Sequence, residues 1–193
     1  MKVGYSVEGS TDRAFLKGLR DRWCPEVEFM EGRFRGRSGQ SQRREIPNTC
    51  TELNAKGADL IIFMRDANNE NWRDVLQADS NRCEDQHRHL VIFSVCDRNI
   101  ECWLCADQDW IANRTNLPPT EFMVDDPKRV FESAMQITTF EKREDDIASL
   151  VREAPLHRWL SNRSFEEFYD ALRQKSKSFT CRIENLRDSG NAQ

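Results

Sequence analysis

Long apolar runs are missing from this chain of 193 residues, in which 38% of the residues are hydrophobic and 32% are charged. No apolar run reaches the eighteen or so residues that a membrane-spanning helix requires. The first residues also lack the pattern of a secretory signal. We therefore expect a globular protein without a membrane partner, consisting of one domain or of one domain with a helical extension.

A strong excess of positive charge is also missing, because 33 acidic residues face 29 lysines and arginines and the formal net charge is -4. That total does not indicate nucleic-acid binding. The segment "RFRGRSGQSQRR", residues 33–44, is a local exception that carries five arginines and no acid. It fits either a solvated loop or an exposed arm that binds phosphate groups. The candidate nucleic-acid-binding residues of such an arm are Arg33, Arg35, Arg37, Arg43 and Arg44.

The seven cysteines are odd in number and scattered along the chain. A chain of this length does not need disulfides to hold its core, so we expect reduced thiols and a cytoplasmic location. Cys102 and Cys105 form a C-x-x-C pair, but a second such pair is missing from the sequence. Small apolar packing is therefore the favoured interpretation of this pair, with a zinc site as the alternative.

Segments typical of strands alternate with helical periodicities through the first 112 residues. This alternation predicts crossover connections, and hence an α/β fold whose central sheet is mainly parallel and flanked by helices. Among the helices, one is expected to follow Pro47 and to end at Gly57, and another to cover "NIECWLCADQDWI", residues 99–111. The strands are expected at 2–7, 27–32, 59–67 and 89–97.

The alternation of strand and helix patterns ends at Asn113, and the following segment, "RTNLPPTEF", is typical of a linker. Helical spacing then recurs near 127–136, 144–153, 155–161 and 164–176. We predict an α/β domain over 1–112, a helical extension packed on it over 113–185, and a flexible tail over 186–193.

Each buried strand of the predicted sheet ends in an acidic residue: Glu8 after the first, Asp66 after "LIIFMR", and Asp97 after "VIFSVC". The carboxyl ends of parallel strands share one edge, which is where open α/β sheets bind ligands. Glu101 lies one helical turn beyond Asp97 and can face the same edge. Clustered carboxylates repel one another unless a cation lies between them, and oxygen ligands suit Mg²⁺ or Mn²⁺. Such a metal can activate water for attack on a phosphodiester. Asp12 is interpreted first as a residue that stabilises the start of its helix.

The motifs "VEGSTDRAFL" and "FMRDANNE" together resemble the Toprim domain, which has a glutamate-glycine after its first strand and an Asp-x-Asp after a later one. With "NIECWLCAD", the chain is similar over residues 1–110 to the Toprim-like proteins of the DUF4276 type. The resemblance implies that Glu8 and Asp66 are metal ligands and that Glu101 and Asp107 complete or border the site. Asn68 stands where the second aspartate of the motif is expected, and an amide oxygen binds a cation less strongly than a carboxylate.

Related Toprim proteins cleave or rejoin nucleic acid, and nucleases of the overcoming-lysogenisation-defect type act with an ATPase in phage defence. The resemblance thus implies a Mg²⁺- or Mn²⁺-dependent nuclease in a defence or DNA-processing assembly, with DNA favoured over RNA. Its catalytic residues would be Glu8, Asp66 and Glu101, and its metal ligands would be drawn from Glu8, Asp66, Asn68, Asp97, Glu101 and Asp107.

Two other functions stay open at this point. One is a Toprim-like interaction subunit that binds an ATPase without catalysis, which Asn68 favours. The other is a nucleic-acid sensor that uses the arginine segment without cleavage. Topoisomerase chemistry is disfavoured, because it needs a tyrosine nucleophile and Tyr5 and Tyr169 are poorly placed for that role.

Overall fold

The expected α/β fold is confirmed, because the described strands form one parallel sheet in the order β2-β1-β3-β4. A computed structural model describes residues 1–32, 39–135, 140–177, 179, 181 and 183–189. The strands are β1 (Lys2–Val7), β2 (Glu28–Glu31), β3 (Leu60–Asp66) and β4 (Val91–Cys96).

Helices cover both faces of this sheet. Two short 3-10 helices lie at Asp85–His87 and Pro119–Phe122. The α-helices are α1 (Ser10–Trp23), α2 (Gly39–Ala55), α3 (Trp72–Ser80), α4 (Glu101–Leu104), α5 (Gln108–Thr115), α6 (Lys128–Ala134), α7 (Phe140–Glu153), α8 (Leu156–Trp159), α9 (Arg163–Ser176) and α10 (Leu186–Ser189).

The central strand β3 is buried on both faces, which explains its continuous apolar run. Side chains alternate along a strand, so successive residues enter different cores. Ile62 and Met64 belong to the larger core with α1, α7 and α9, whereas Ile61 and Phe63 pack with α2. Arg65 and Asp66 at the end of the strand continue this alternation.

The helical extension shares the larger core with the α/β part. The Phe15 ring of α1 lies 5.4 Å from the ring of Trp103, and Trp103 lies 5.4 Å from Phe165 of α9. Trp103 also donates from Nε1 to Ser164 Oγ over 2.7 Å. Because these aromatic side chains are completely or almost completely buried, the two parts of the chain stabilise each other.

The structure corrects three element boundaries. Helix α2 begins at Gly39 and contains Pro47, so the loop predicted for residues 33–44 is wrong for 39–44, and 33–38 lie outside the described residues. Burial of Gln42 and Ile46 on one helical face offsets the hydrogen bond that Pro47 cannot make. The helix predicted over 99–111 is divided into α4 and α5. Residues 186–189, predicted as tail, form α10, and Leu186 is buried.

The cysteines also depart from expectation in one place. Cys24, after α1, is paired in a disulfide with Cys181, and their Cα atoms lie 5.6 Å apart. The expectation of reduced thiols is therefore wrong for this pair. The free cysteines are Cys50, Cys83, Cys96, Cys102 and Cys105.

None of the helices in the described ranges is both long enough and apolar enough to span a membrane.

Candidate functional site

Glu8 and Asp66 meet at the carboxyl edge of the sheet. Glu8 follows β1, Asp66 ends the neighbouring strand β3, and the Asp66 N–H points to Glu8 Oε2 over 3.4 Å. The pairing of Val7 with Met64 places Glu8 within one residue of the level of Asp66. The chain then turns through Gly9 into α1, so the glutamate lies where the sheet meets the positive end of a helix.

Asp12 extends this group from the first turn of α1. Its Oδ2 accepts the Gly9 N–H over 2.8 Å, a capping contact at the start of the helix. The residue is only 3% exposed, however, and Oδ1 has no hydrogen-bond partner within the described residues. Half of this carboxyl group is therefore buried without a polar contact.

Glu101 is the most deeply buried carboxyl group of the edge. The residue is 1% exposed at the start of α4, and neither of its carboxyl oxygens has a hydrogen-bond partner in the described ranges. Arg143 of α7 approaches it, with Nη2 at 3.6 Å from Glu101 Oε1. The same nitrogen donates to Thr11 Oγ1 over 2.8 Å and to Glu132 Oε1 over 3.0 Å, so Arg143 is shared among several acceptors.

The backbone next to Glu101 also orients Asp66. The Ile100 N–H donates to Asp66 Oδ1 over 3.0 Å. Cys96 is the register partner of Asp66 on β4 and is fully buried. Glu8, Asp12, Asp66 and Glu101 are hereafter called the acidic edge.

Burial and mutual repulsion change the protonation of the acidic edge. Burial raises the pKa of Asp66 to about 7, and the charges of Glu101 and Glu8 contribute in the same direction. Burial, followed by the charge of Asp66, holds the pKa of Asp12 well above its ordinary value. Burial likewise raises the pKa of Glu101, while Lys128 and Arg143 oppose the rise. These are the properties of carboxyl groups that lack a sufficient positive partner.

The other predicted ligands lie apart from this group. Asn68 is exposed, with a φ of 55°, and its N–H donates to the Arg98 carbonyl over 2.7 Å. Asp97 is also exposed, and its N–H donates to Ser164 Oγ over 3.0 Å. No hydrogen bond or ion pair joins either residue to the acidic edge within the described part of the chain.

Asp107 is buried for a structural reason. Its Oδ1 accepts the Trp110 N–H at the start of α5 over 3.1 Å, and its Oδ2 lies 3.1 Å from Arg158 Nη1. Both oxygens are thus engaged away from the acidic edge.

Of the candidate nucleic-acid-binding arginines, Arg33, Arg35 and Arg37 lie outside the described residues. Arg43 and Arg44 belong to helix α2. Arg43 pairs with Asp79, Nε to Oδ1, over 2.5 Å, whereas Arg44 is exposed.

The site also contains residues that sequence reasoning missed, namely Lys128 and Arg143 of the helical extension. No sequence signal connects them with Glu101, because their approach depends on how α6 and α7 pack. Asp12 was recognised, but only as a helix-start residue. Its position four residues after Glu8, in the first turn of a helix that follows a buried strand, was the available signal.

The donor chemistry of the acidic edge suits a hard cation, since it offers carboxyl oxygens that lack other partners. Over the residues that the structure describes, no three His, Cys, Asp or Glu side chains converge as a ready-made metal site. Mutual repulsion is a physical reason for such carboxylates to stay apart when no cation lies between them.

Comparisons with known proteins do not identify the chain: no family model matches it, and neither the curated proteins nor the solved structures include a significant match.

Proposed function

We propose that this protein is a Mg²⁺- or Mn²⁺-dependent hydrolase that cleaves phosphodiester bonds of nucleic acid at the acidic edge. The observation that carries the proposal is the burial of Glu101 and Asp12 with three carboxyl oxygens that have no hydrogen-bond partner in the described residues. Burying a carboxylate without hydrogen bonds is costly, and the ion pair of Glu101 with Arg143, at 3.6 Å, offsets that cost only in part. A bound divalent cation would remove that cost, so these residues fit the group.

Glu8, Asp66 and Glu101 would hold the cation, with Asp12 bordering it. When bound, it would supply Lewis-acid stabilisation of phosphate oxygens and a water of lowered pKa. The Ile100 N–H fixes the orientation of Asp66, and Arg143 limits the movement of Glu101. These contacts give the ligands the preorganisation that metal sites obtain from the residues around them.

Positive side chains from the helical extension support a phosphate-containing substrate. The positive charge of Lys128 opposes the rise in the pKa of both Asp66 and Glu101. Arg143 enters the same region from α7. A polyanion that approaches carboxylates needs such positive groups to offset repulsion. DNA, with RNA as the less favoured substrate, is the polyanion we propose.

The proposal includes an ATPase partner and a role in antiviral defence or DNA processing, for which the support is the Toprim-like motif pattern. It also includes a cytoplasmic location, which is supported by the five free cysteines. The Cys24–Cys181 disulfide is the observation that weighs against that location.

A cleavage assay on DNA and RNA with Mn²⁺ tests the function, with Asp66→Asn as the disabling variant. We expect a loss of about a hundredfold or more, because one ligand charge is removed from the acidic edge. Asp97→Asn is the matched control, since it makes the same chemical change at an exposed strand end. Cleavage by Asp66→Asn at the rate of the parent would refute the proposed site.

A non-catalytic interaction subunit is the second candidate function. Two apolar side chains, Met123 and Val124, are 64% and 48% exposed and offer a contact surface. Arg143 also supplies Glu101 with a positive partner that needs no metal. Failure of the parent to cleave single- or double-stranded DNA or RNA with either metal would favour this candidate.

A further inference from the structure

At the end of β3, the face of the sheet opposite to the acidic edge carries a buried arginine whose hydrogen-bond donors are not all satisfied within the described residues. Arg65 precedes Asp66 on β3, and its side chain is only 5% exposed. Its Nη1 lies 3.7 Å from Asp79 Oδ1, its Nη2 lies 3.9 Å from Glu70 Oε1, and its Nε donates to the Asp66 carbonyl over a long 3.5 Å. Nη1 has no hydrogen-bond partner among the described residues. A buried guanidinium normally has its donors satisfied.

The first turn of α2 lies directly against this guanidinium. A Cβ atom at position 39 would overlap with the Arg65 guanidinium, so glycine is what allows the helix to begin there. The first N–H groups of a helix lack intrahelical acceptors and carry partial positive charge. The first turn of this 17-residue helix has no acidic residue that would offset that charge. Two positive groups are therefore adjacent.

Arg43, one turn into α2, adds a third positive group. Its Nε lies 2.5 Å from Asp79 Oδ1, so two arginines share one buried carboxylate. Glu70 is at the periphery, with its side chain 65% exposed. The helix is held in place by Gln42, which donates to the carbonyls of Ser6 over 2.9 Å and Met64 over 3.2 Å. The group is thus held in place, and its two guanidinium groups and the helix start face one buried carboxylate, Asp79, and one mostly exposed carboxylate, Glu70.

We propose that Arg65, Arg43 and the first turn of α2 form a phosphate-binding site, hereafter called the basic corner. A phosphate oxygen would accept from Nη1 of Arg65 and from the Arg43 guanidinium, and the positive end of α2 would favour its negative charge. Asp79 holds the two guanidinium groups in position. The ligand is a phosphate group, supplied either by free phosphate or by a phosphodiester of a nucleic acid.

This site is distinct from the acidic edge, because Arg65 and Asp66 project to opposite faces of the sheet. The inference does not depend on the proposed hydrolysis. If both are correct, one nucleic-acid strand crossing the carboxyl edge would meet a cation on one face and the basic corner on the other.

Melting of the full chain in EDTA, with inorganic phosphate compared with chloride at equal ionic strength, tests the basic corner. We expect phosphate to raise the melting temperature of the parent by about 3 °C or more. Arg43→Gln should lose most of that rise. Arg44→Gln is the matched control, because Arg44 is the exposed neighbour on the same helix and should leave the rise unchanged. Arg65→Gln should abolish the rise, and if this variant fails to fold, the Arg43 and Arg44 variants decide.

Equal phosphate responses of the parent and Arg43→Gln, or no advantage of phosphate over chloride, would overturn the proposal. The response should persist in the Glu8→Gln/Asp66→Asn variant, which separates this test from that of the acidic edge. Oligonucleotide binding in EDTA identifies the source of the phosphate. Affinity that falls about fivefold or more in Arg43→Gln, and that phosphate competes away, indicates a phosphodiester. Unchanged affinity together with a phosphate-dependent melting shift indicates free phosphate.

Discussion

Arg65 and Asp66 are consecutive on one strand, yet their side chains enter opposite surroundings. Asp66 lies among other carboxyl groups, some of which have no hydrogen-bond partner within the described chain. Arg65 lies beside a helix start and shares Asp79 with a second arginine. Because side chains alternate along β3, the end of this strand has acidic side chains on one face of the sheet and basic side chains on the other. The comparison shows that a single sheet edge can carry an acidic group of side chains on one face and a basic group on the other.

On the acidic face, we expect the largest effect from a substitution of Glu101. In Glu101→Gln we expect Mn²⁺-dependent cleavage to fall about a thousandfold, because the lost charge supports the metal that acts on the phosphate. Without metal the variant should be as stable as the parent or slightly more stable, since repulsion with Asp66 is relieved. Cleavage assays and metal-free melting curves measure the two effects.

Glu132→Gln is the matched control for that variant. Glu132 contacts the same arginine, Arg143, over 3.0 Å, but it is not part of the acidic edge. Its cleavage rate should stay within severalfold of the parent rate. A comparable loss of cleavage in both variants would mean that Glu101 acts by positioning Arg143 and not by binding the cation.

On the basic face, we expect the largest loss of stability from a substitution of Asp79, which lies on α3. In Asp79→Asn the two guanidinium groups lose their shared carboxylate, and we expect the free energy of unfolding to fall by about 3 kcal/mol in a buffer without phosphate. Urea unfolding measures the loss. Added phosphate should recover a larger part of the stability than it gives the parent, because the anion would replace the missing charge.

Asp74→Asn is the control variant, because Asp74 is exposed in the first turn of α3, the helix that also carries Asp79. This variant should change the free energy of unfolding by less than about 1 kcal/mol. An Asp79→Asn protein that is as stable as the parent, with no added response to phosphate, would contradict the charge imbalance assigned to the basic corner.

A smaller effect is expected on the pH dependence of the free energy of unfolding, which reports on the protonation of Asp66. The pKa of Asp66 is about 7 in the folded protein against an ordinary 3.8, so the folded state keeps a proton that the unfolded chain releases between these values. The free energy of unfolding of the metal-free protein should therefore fall as pH rises from about 4 to about 7, by at most about 1.4 kcal/mol per pH unit for this group. The raised pKa values of Asp12 and Glu101 act in the same direction.

Asp66→Asn should reduce that slope. Urea unfolding of metal-free parent and variant across this pH range measures it. Stability that rises with pH, or an identical slope in both proteins, would show that Asp66 does not retain its proton in the folded state.

Much of the fold could be predicted from the sequence, and part of the candidate site. The apolar run that ends in Asp66 identified a strand covered on both faces, and the alternation of strands with helices gave the parallel sheet. Glu8 and Asp66 were predicted to lie together because strand ends share an edge, and Glu101 because it lies one helical turn beyond such an end. The start of α2 was missed because Pro47 marks a boundary in local rules, whereas burial of Gln42 and Ile46 extends the helix past it.

The pairing of Arg143 with Glu101 and of Arg65 with Gly39 could not be predicted, because both depend on how distant elements pack. The contacts of Asp107 could not be predicted for the same reason. Its acidic side chain fits a metal-ligand pattern in the sequence, but packing brings Arg158 to it and its helix-start position occupies its other oxygen.

The most direct test of the acidic edge is the response of the melting temperature to Mn²⁺ at neutral pH. For the parent we predict a rise of about 5 °C or more at millimolar Mn²⁺, because the cation binds the folded state preferentially. Glu8→Gln/Asp66→Asn should lose this rise. Glu28→Gln/Asp85→Asn, which makes the same two changes at exposed positions, should keep it. An equal rise in all three proteins, or none in the parent, would contradict the assignment of a cation site to the acidic edge.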